Sequence, residues 1–206
     1  MVAALTMPTL IQNHRKHEVE TKLAKIYSMM NQATQMSNLE YGDIREWGTF
    51  SEYGFDNLST EQVTEIFNKY FGKHLKYTSI KPYEKAQESV LVYFADGTIL
   101  SITNFVRDMY VYINGKALEN PKFGINVFWF RFAPGTIDNH VDNTAEINKY
   151  HLAKGFEPYA WAWDGKMDSL YENNRYNLGC TQSGRYCTKL IQMNGWKIPK
   201  DYPLKF

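Results

Sequence analysis

Apolar residues recur at helical spacing in the first forty positions. Val19, Leu23, Ile26, Met30 and Ala33 are separated by four, three, four and three residues, which places them on one side of an α-helix. Tyr27 and Met36 widen the stripe, while Glu18, Glu20, Lys22, Lys25 and Gln32 lie between its members. Glu18 and Lys22 form an i, i+4 pair in the favourable order. No helix breaker occurs from Thr9 to Tyr41, so the spacing predicts one helix over about residues 9–40, ending at Gly42. Such a helix is about three times the mean length. It suits either a coiled coil or a spine packed on a sheet, and the one-sided stripe favours the spine.

The pattern changes further along. Residues 42–58 carry glycines and aromatics without a period and are expected to form a loop. Ser59 and Gln62 are spaced as a capping box that starts a second helix. Val63, Ile66, Phe67, Tyr70 and Phe71 form the apolar face of that helix, and Gly72 ends it. From residue 89 the period becomes two. Segments 89–94, 98–102, 109–113 and 127–132 read as strands, punctuated by Asp96-Gly97, Asn114-Gly115 and Pro134-Gly135. Four strands joined by short turns predict an antiparallel meander. Residues 136–206 have less pattern and are expected to be mostly loops, with short helices near 144–153 and 183–192. The predicted class is α+β: a long N-terminal helix on a four-stranded antiparallel sheet, with a small second helix and an irregular C-terminal region. The division is a spine over 1–41 and a head over 42–206.

Composition narrows the function classes. A net charge of +1 lacks the basic bias of a dedicated nucleic-acid binder. Aromatics reach 16%, which suits strands and half-buried surfaces. Two cysteines exclude both a disulfide-dense scaffold and a four-cysteine zinc site. The apolar start, Met1 to Ile11, is too short to span a bilayer, which takes roughly 20 residues. It reads either as an ordinary helix start with Pro8 in its first turn or as the second half of a membrane helix.

Candidate chemistry is sparse. No Gly-x-Ser-x-Gly, His-Glu-x-x-His or phosphate-loop motif occurs, so no catalytic residue is assigned. His14 and His17 share a helix face but have no third ligand in view, and no metal is assigned to them. Asp138, Asn139, Asp142 and Asn143 offer oxygens of the kind calcium takes, without EF-hand spacing, and read as turn formers. Tyr159, Trp161 and Trp163 alternate, so on a strand they would share one face and could stack on a sugar. Lys73, His74, Lys76, Lys81 and Lys85 read as a solvated face.

Three segments together carry a resemblance. Val2-Ala-Ala-Leu-Thr-Met-Pro-Thr-Leu-Ile-Gln12 runs into the amphipathic helix. Phe94-Ala-Asp-Gly-Thr98 is followed by Asn114-Gly115, Pro121, Gly124 and Val127-Phe128. Cys180 and Cys187 precede Asn194-Gly-Trp-Lys-Ile-Pro-Lys-Asp-Tyr-Pro203. In this combination and order the chain resembles the type IV pilin-like proteins and type II secretion pseudopilins. Pro8 matches the proline partway along their hydrophobic helix. The glycine and glutamate of the prepilin processing motif are absent from the chain. On this resemblance the chain is expected to lack the start of its membrane segment, with Met1 a replaced residue.

The resemblance implies a structural filament subunit with no cofactor. Its partners would be other pilin or pseudopilin subunits, the assembly machinery and, through the missing segment, the inner membrane. Its final place would be a periplasmic or cell-surface filament. Val19, Leu23, Ile26 and Met30 would pack the helix. Export implies a compartment where Cys180 and Cys187 form a disulfide rather than two free thiols. The alternative is an adhesin-like binding module on the same scaffold, with Tyr159, Trp161 and Trp163 as its ligand patch.

Overall fold

A computed structural model describes residues 3–44, 47, 58–83, 90–102, 108–132, 155–172 and 176–206, with side chains from Thr9 onward. The chain is α+β. Helix α1 runs from Ala3 to Tyr41, and the Gly42 N–H closes it by donating to the Asn38 carbonyl at 3.0 Å. The second helix, α2 (Thr60–Phe67), starts at the expected capping box, with the Ser59 hydroxyl and the Gln62 amide each serving the other's backbone N–H. It does not stop cleanly at Gly72: Asn68–Gly72 continues it as a π-helical turn. Val63, Phe67, Tyr70 and Phe71 are buried, whereas Ile66 is only partly covered.

The sheet has six strands rather than four, all antiparallel and in sequence order. They are β1 (Ser79–Pro82), β2 (Val90–Tyr93), β3 (Ile99–Ile102), β4 (Asp108–Tyr112), β5 (Val127–Phe132) and β6 (Phe156–Pro158). The four inner strands match the expected segments. The two additional strands lie at the edges, where alternation is hard to read. β1 is half exposed and carries Lys81 and Pro82. β6 has only three residues, one of them Pro158. An edge strand needs only one line of pairing partners, so short length and proline are tolerated there. Asn114-Gly115 is not a simple hairpin turn: it leads into a one-turn helix, α3 (Lys116–Glu119), before β5. Two further short helices follow, α4 (Asp168–Tyr171) and α5 (Cys187–Met193), the latter overlapping the helix expected near 183–192. The helix expected near 144–153 and the Pro134-Gly135 turn lie outside the described residues.

The inner stripe of α1 forms part of the main core. Val19, Leu23, Ile26, Met30 and Ala33 cluster with Val90, Val92, Leu100, Val111, Phe128 and Phe130 from one sheet face. Each large aliphatic side chain buried this way contributes about 1.5–3 kcal/mol. Spine and head therefore share one core. Met36, expected to widen the stripe, instead points to solvent. Asn31 Nδ2 donates to the Phe156 carbonyl at 2.8 Å, and the Phe156 N–H donates back to Asn31 Oδ1 at 3.4 Å. One α1 side chain thus satisfies both backbone groups of a residue on the edge strand, as buried backbone polar groups require. The opposite sheet face carries a smaller cluster, Leu91, Ile99, Tyr112 and Val127, with Ala117 of α3 against it. That second cover explains why β3 and β5 are buried throughout rather than at alternate positions.

Cys180 and Cys187 are joined in a disulfide at the start of α5. A loop this small limits the unfolded chain by about 2–3 kcal/mol. The C-terminal segment then returns to α1. Lys197 pairs with Glu20, whose other oxygen accepts from the Ile198 N–H, and Trp196 packs on Tyr27.

Candidate assembly surface and cationic cleft

The outer side of α1 exposes large apolar side chains. Leu10 and Leu39 are 72% and 84% exposed, and Ile11 and Met36 are also exposed. At about 100° per residue, Leu10 and Leu39 fall within about 20° of one meridian, roughly 44 Å apart along the axis. The exposed positions between them on that side include the uncharged Thr21, Ser28, Gln32 and Gln35 together with His14, His17 and Lys25. A helix face meant for water normally carries more charge. The lysines on and beside this face are already engaged: Lys25 Nζ lies 2.6 Å from Asp96, and Lys73 pairs with Glu40. No helix among the described residues is long and apolar enough to cross a membrane.

Beside the N-terminal part of α1 lies a cleft of about 340 Å³, walled by α1, the β4–α3–β5 connection and the C-terminal tail. Arg15, Lys116, Lys122 and Lys205 line it. Its wall is held by asparagines: the Lys122 N–H donates to Asn126 Oδ1 at 2.6 Å, and Asn126 Nδ2 donates to the Asn120 carbonyl at 3.0 Å. Glu18, the acid in the lining, is taken by Lys22 at 2.8 Å.

Charged groups also meet inside the fold. Asp108, Arg131 and Glu157 stand in register across β4, β5 and β6, an acid–base–acid row. Glu157 accepts from the Tyr27 hydroxyl at 3.1 Å and from Gln192 Nε2 at 3.2 Å, tying β6 to α1 and α5. Burial pushes the Asp108 carboxyl up to about 6 against the pull of neighbouring Arg131. Asp96 goes the other way: burial opposes ionisation, but hydrogen bonds from Lys25 and the Thr98 N–H outweigh it and hold the carboxyl at about 2.

The two shifts act in opposite senses. Asp108 is better tolerated protonated, so stability rises as pH falls from about 6 towards its unfolded value near 4. Asp96 stabilises the fold above about pH 4, and that contribution is lost as pH falls towards 2. Urea midpoints measured against pH are expected to peak near pH 4 and to fall towards pH 6 on one side and pH 2 on the other. Asp108→Asn should flatten the upper limb. A wild-type midpoint that rises steadily from pH 5 to pH 8 contradicts this account.

Residues 9–206 match the model of a family of unknown function (DUF6613). The chain belongs to this family. No curated protein and no solved structure matches it. The family match takes in the described part of α1 from Thr9 onward, the whole sheet and both cysteines, so the exposed helix face and the cleft belong to the matched region.

The remaining candidate residues are dispersed. Tyr159, Trp161 and Trp163 share no strand face, because β6 ends at Pro158 and the chain turns through Ala162, whose φ is +59°. Tyr159 and Trp163 are buried in the core, while Trp161 packs on Tyr176. The alternation therefore reflects core packing around a turn, not a stacking platform. His17 is largely exposed and lies 3.8 Å from Glu20. His74 lies 3.5 Å from Glu40, beside Lys73. Asp138, Asn139, Asp142, Asn143 and Lys85 lie outside the described residues, and no cluster of three His, Cys, Asp or Glu occurs among the described ones. The cationic cleft had no signal in the sequence: its four cations are scattered from position 15 to position 205 and meet only through the fold.

Proposed function

We propose that this protein is a structural subunit of a pilin-like filament, assembled through α1. The observation that supports this most is the two-sided use of that helix. Its inner stripe packs on the antiparallel sheet, while its outer side, from Leu10 to Leu39, exposes leucine and methionine and carries one lysine, Lys25, which is paired with Asp96. Packing such faces against copies of the same helix removes apolar surface from water, which drives association. On this reading the role is structural, the partners are other subunits and the assembly machinery, and the subunit passes from the inner membrane to a periplasmic or cell-surface filament. The Cys180–Cys187 disulfide agrees with an exported protein. Glycan binding by Tyr159, Trp161 and Trp163 gains no support, because two of the three rings are buried.

The test is assembly in cells that make the protein naturally. Met36→Glu with Leu39→Glu should abolish surface filaments containing the protein, seen by immuno-electron microscopy, while the subunit is still made at its normal level. Both positions are exposed, so the effect on folding should stay within about 0.5 kcal/mol. Filaments of normal abundance in the double variant would overturn the reading, as would wild-type cells without filaments that carry this chain.

A further inference from the structure

Four cations line one cleft, and none of them has a partner among the described residues. Arg15 stands on α1, Lys116 on α3, Lys122 before β5 and Lys205 in the C-terminal tail. Four other lysines are neutralised, Lys22 by Glu18, Lys25 by Asp96, Lys73 by Glu40 and Lys197 by Glu20; Lys76, Lys166 and Lys200 are exposed like the cleft cations but do not share a hollow with one another. In a chain of net charge +1, this is a marked local excess. The cleft is also preformed. Asn126 bridges the backbone at Lys122 and Asn120, and Asn114 Oδ1 accepts from the Ala117 N–H at 3.3 Å. The wall is therefore fixed while the cationic heads remain uncommitted, an arrangement that suits an anion.

A second hollow adjoins the first and identifies the kind of anion. It is lined by Leu10, Ile11, His14, Arg15 and Glu18, sharing the last two with the cationic cleft. Leu10 and Ile11 stand out into solvent. Apolar side chains and uncompensated cations are thus continuous on one side of the molecule. A small soluble anion would use only the cationic half. A nucleic-acid strand would need a longer basic track with stacking rings. An anionic lipid surface engages both halves, phosphate against the lysines and acyl region against the leucine and isoleucine.

We infer that this side of the protein docks on anionic phospholipid, with Arg15, Lys116, Lys122 and Lys205 on the headgroup phosphates and Leu10 and Ile11 dipping into the interface. The four cations act additively, and salt weakens the contact. Leu10 belongs to both surfaces, but Met36 and Leu39 line neither hollow, so the Met36 and Leu39 substitutions test filament packing and the cleft lysines test this contact, each without the other.

The experiment is co-sedimentation of the full chain with phosphatidylcholine vesicles, with and without phosphatidylglycerol. Binding is expected only with phosphatidylglycerol, and it should fall as salt rises. Combined Lys116→Gln, Lys122→Gln and Lys205→Gln should weaken partitioning roughly a hundredfold, at about fivefold per cation. Leu10→Ser with Ile11→Ser should also weaken it while leaving the salt dependence unchanged. Lys76→Gln, Lys166→Gln and Lys200→Gln remove the same charge elsewhere and should leave binding intact, as should Met36→Glu with Leu39→Glu. All these positions are exposed, and matching circular dichroism and thermal midpoints will verify folding. Equal loss in the two lysine triples would reduce the effect to net charge and overturn the assignment. So would binding of inorganic phosphate in the cleft without vesicle binding, or vesicle binding that ignores the cleft substitutions.

Discussion

Gly124→Ala is expected to destabilise the protein by about 3–5 kcal/mol, the range that overpacking combined with backbone strain produces. Gly124 sits at φ +78°, where a Cβ is strained by itself. That Cβ would also stand 2.4 Å from Cys187 Sγ and 2.6 Å from Leu204 Cδ1. The sulfur is tied to Cys180 and cannot swing aside. The Gly124 carbonyl accepts from the buried Tyr202 hydroxyl at 2.6 Å, and its N–H donates to the Val127 carbonyl at 2.9 Å, so the backbone is held as well. Gly97 provides the comparison. Its φ is +81°, with nothing within 4 Å of a built Cβ. Gly97→Ala should therefore cost only the conformational strain, about 1–2 kcal/mol. Urea unfolding of both variants separates packing from strain; equal losses would show that the contact with the disulfide carries no energy.

Truncation of Leu23 should have the next largest effect. Leu23 is fully buried, 0% exposed, in the cluster that joins α1 to the sheet. Leu23→Ala removes transfer energy and leaves a cavity, about 2–5 kcal/mol together. The measurement that matters is cooperativity. Because α1 and the sheet share one core, a single unfolding transition should move to lower denaturant in both far-UV circular dichroism and tryptophan fluorescence. Trp47 stacks on Tyr70 at 4.2 Å and Trp129 lies in β5, so fluorescence reports mainly on the head, with Trp196 sensing its contact with Tyr27 of α1. If helicity were lost while fluorescence stayed unchanged, α1 would be an independent appendage. Leu39→Ala, on the outer side of the same helix, should cost less than about 0.5 kcal/mol.

The elements that could be read in advance are those whose signal is local. The Val19–Ala33 stripe repeats at helical spacing because each residue answers to the same buried face. Ser59 and Gln62 cap α2 through bonds spanning three residues. Asp96-Gly97 turns the chain because the Gly97 N–H reaches back to the Phe94 carbonyl at 3.0 Å and the Asp96 carboxylate takes the Thr98 N–H. The edge strands escaped notice because nothing local marks them. β6 is defined by its pairing with β5 and by Asn31, 125 residues away in sequence. The alternation of Tyr159, Trp161 and Trp163 misled because a period of two has meaning only on a strand, and the chain turns there instead.

By itself the sequence determined that this protein has a long one-sided helix, a capped second helix, an antiparallel α+β head and two cysteines in reach of each other. Each of those follows from residues a few positions apart, where backbone geometry limits the outcome. Only the tertiary structure decided that the edge strand β6 is held by a helix side chain, that Asp108, Arg131 and Glu157 form one row across the sheet, and that Arg15, Lys116, Lys122 and Lys205 share a cleft. Those arrangements join residues up to 190 positions apart. No short-range periodicity encodes such distances; they are set by how the sheet, α1 and the C-terminal tail fill space around one core.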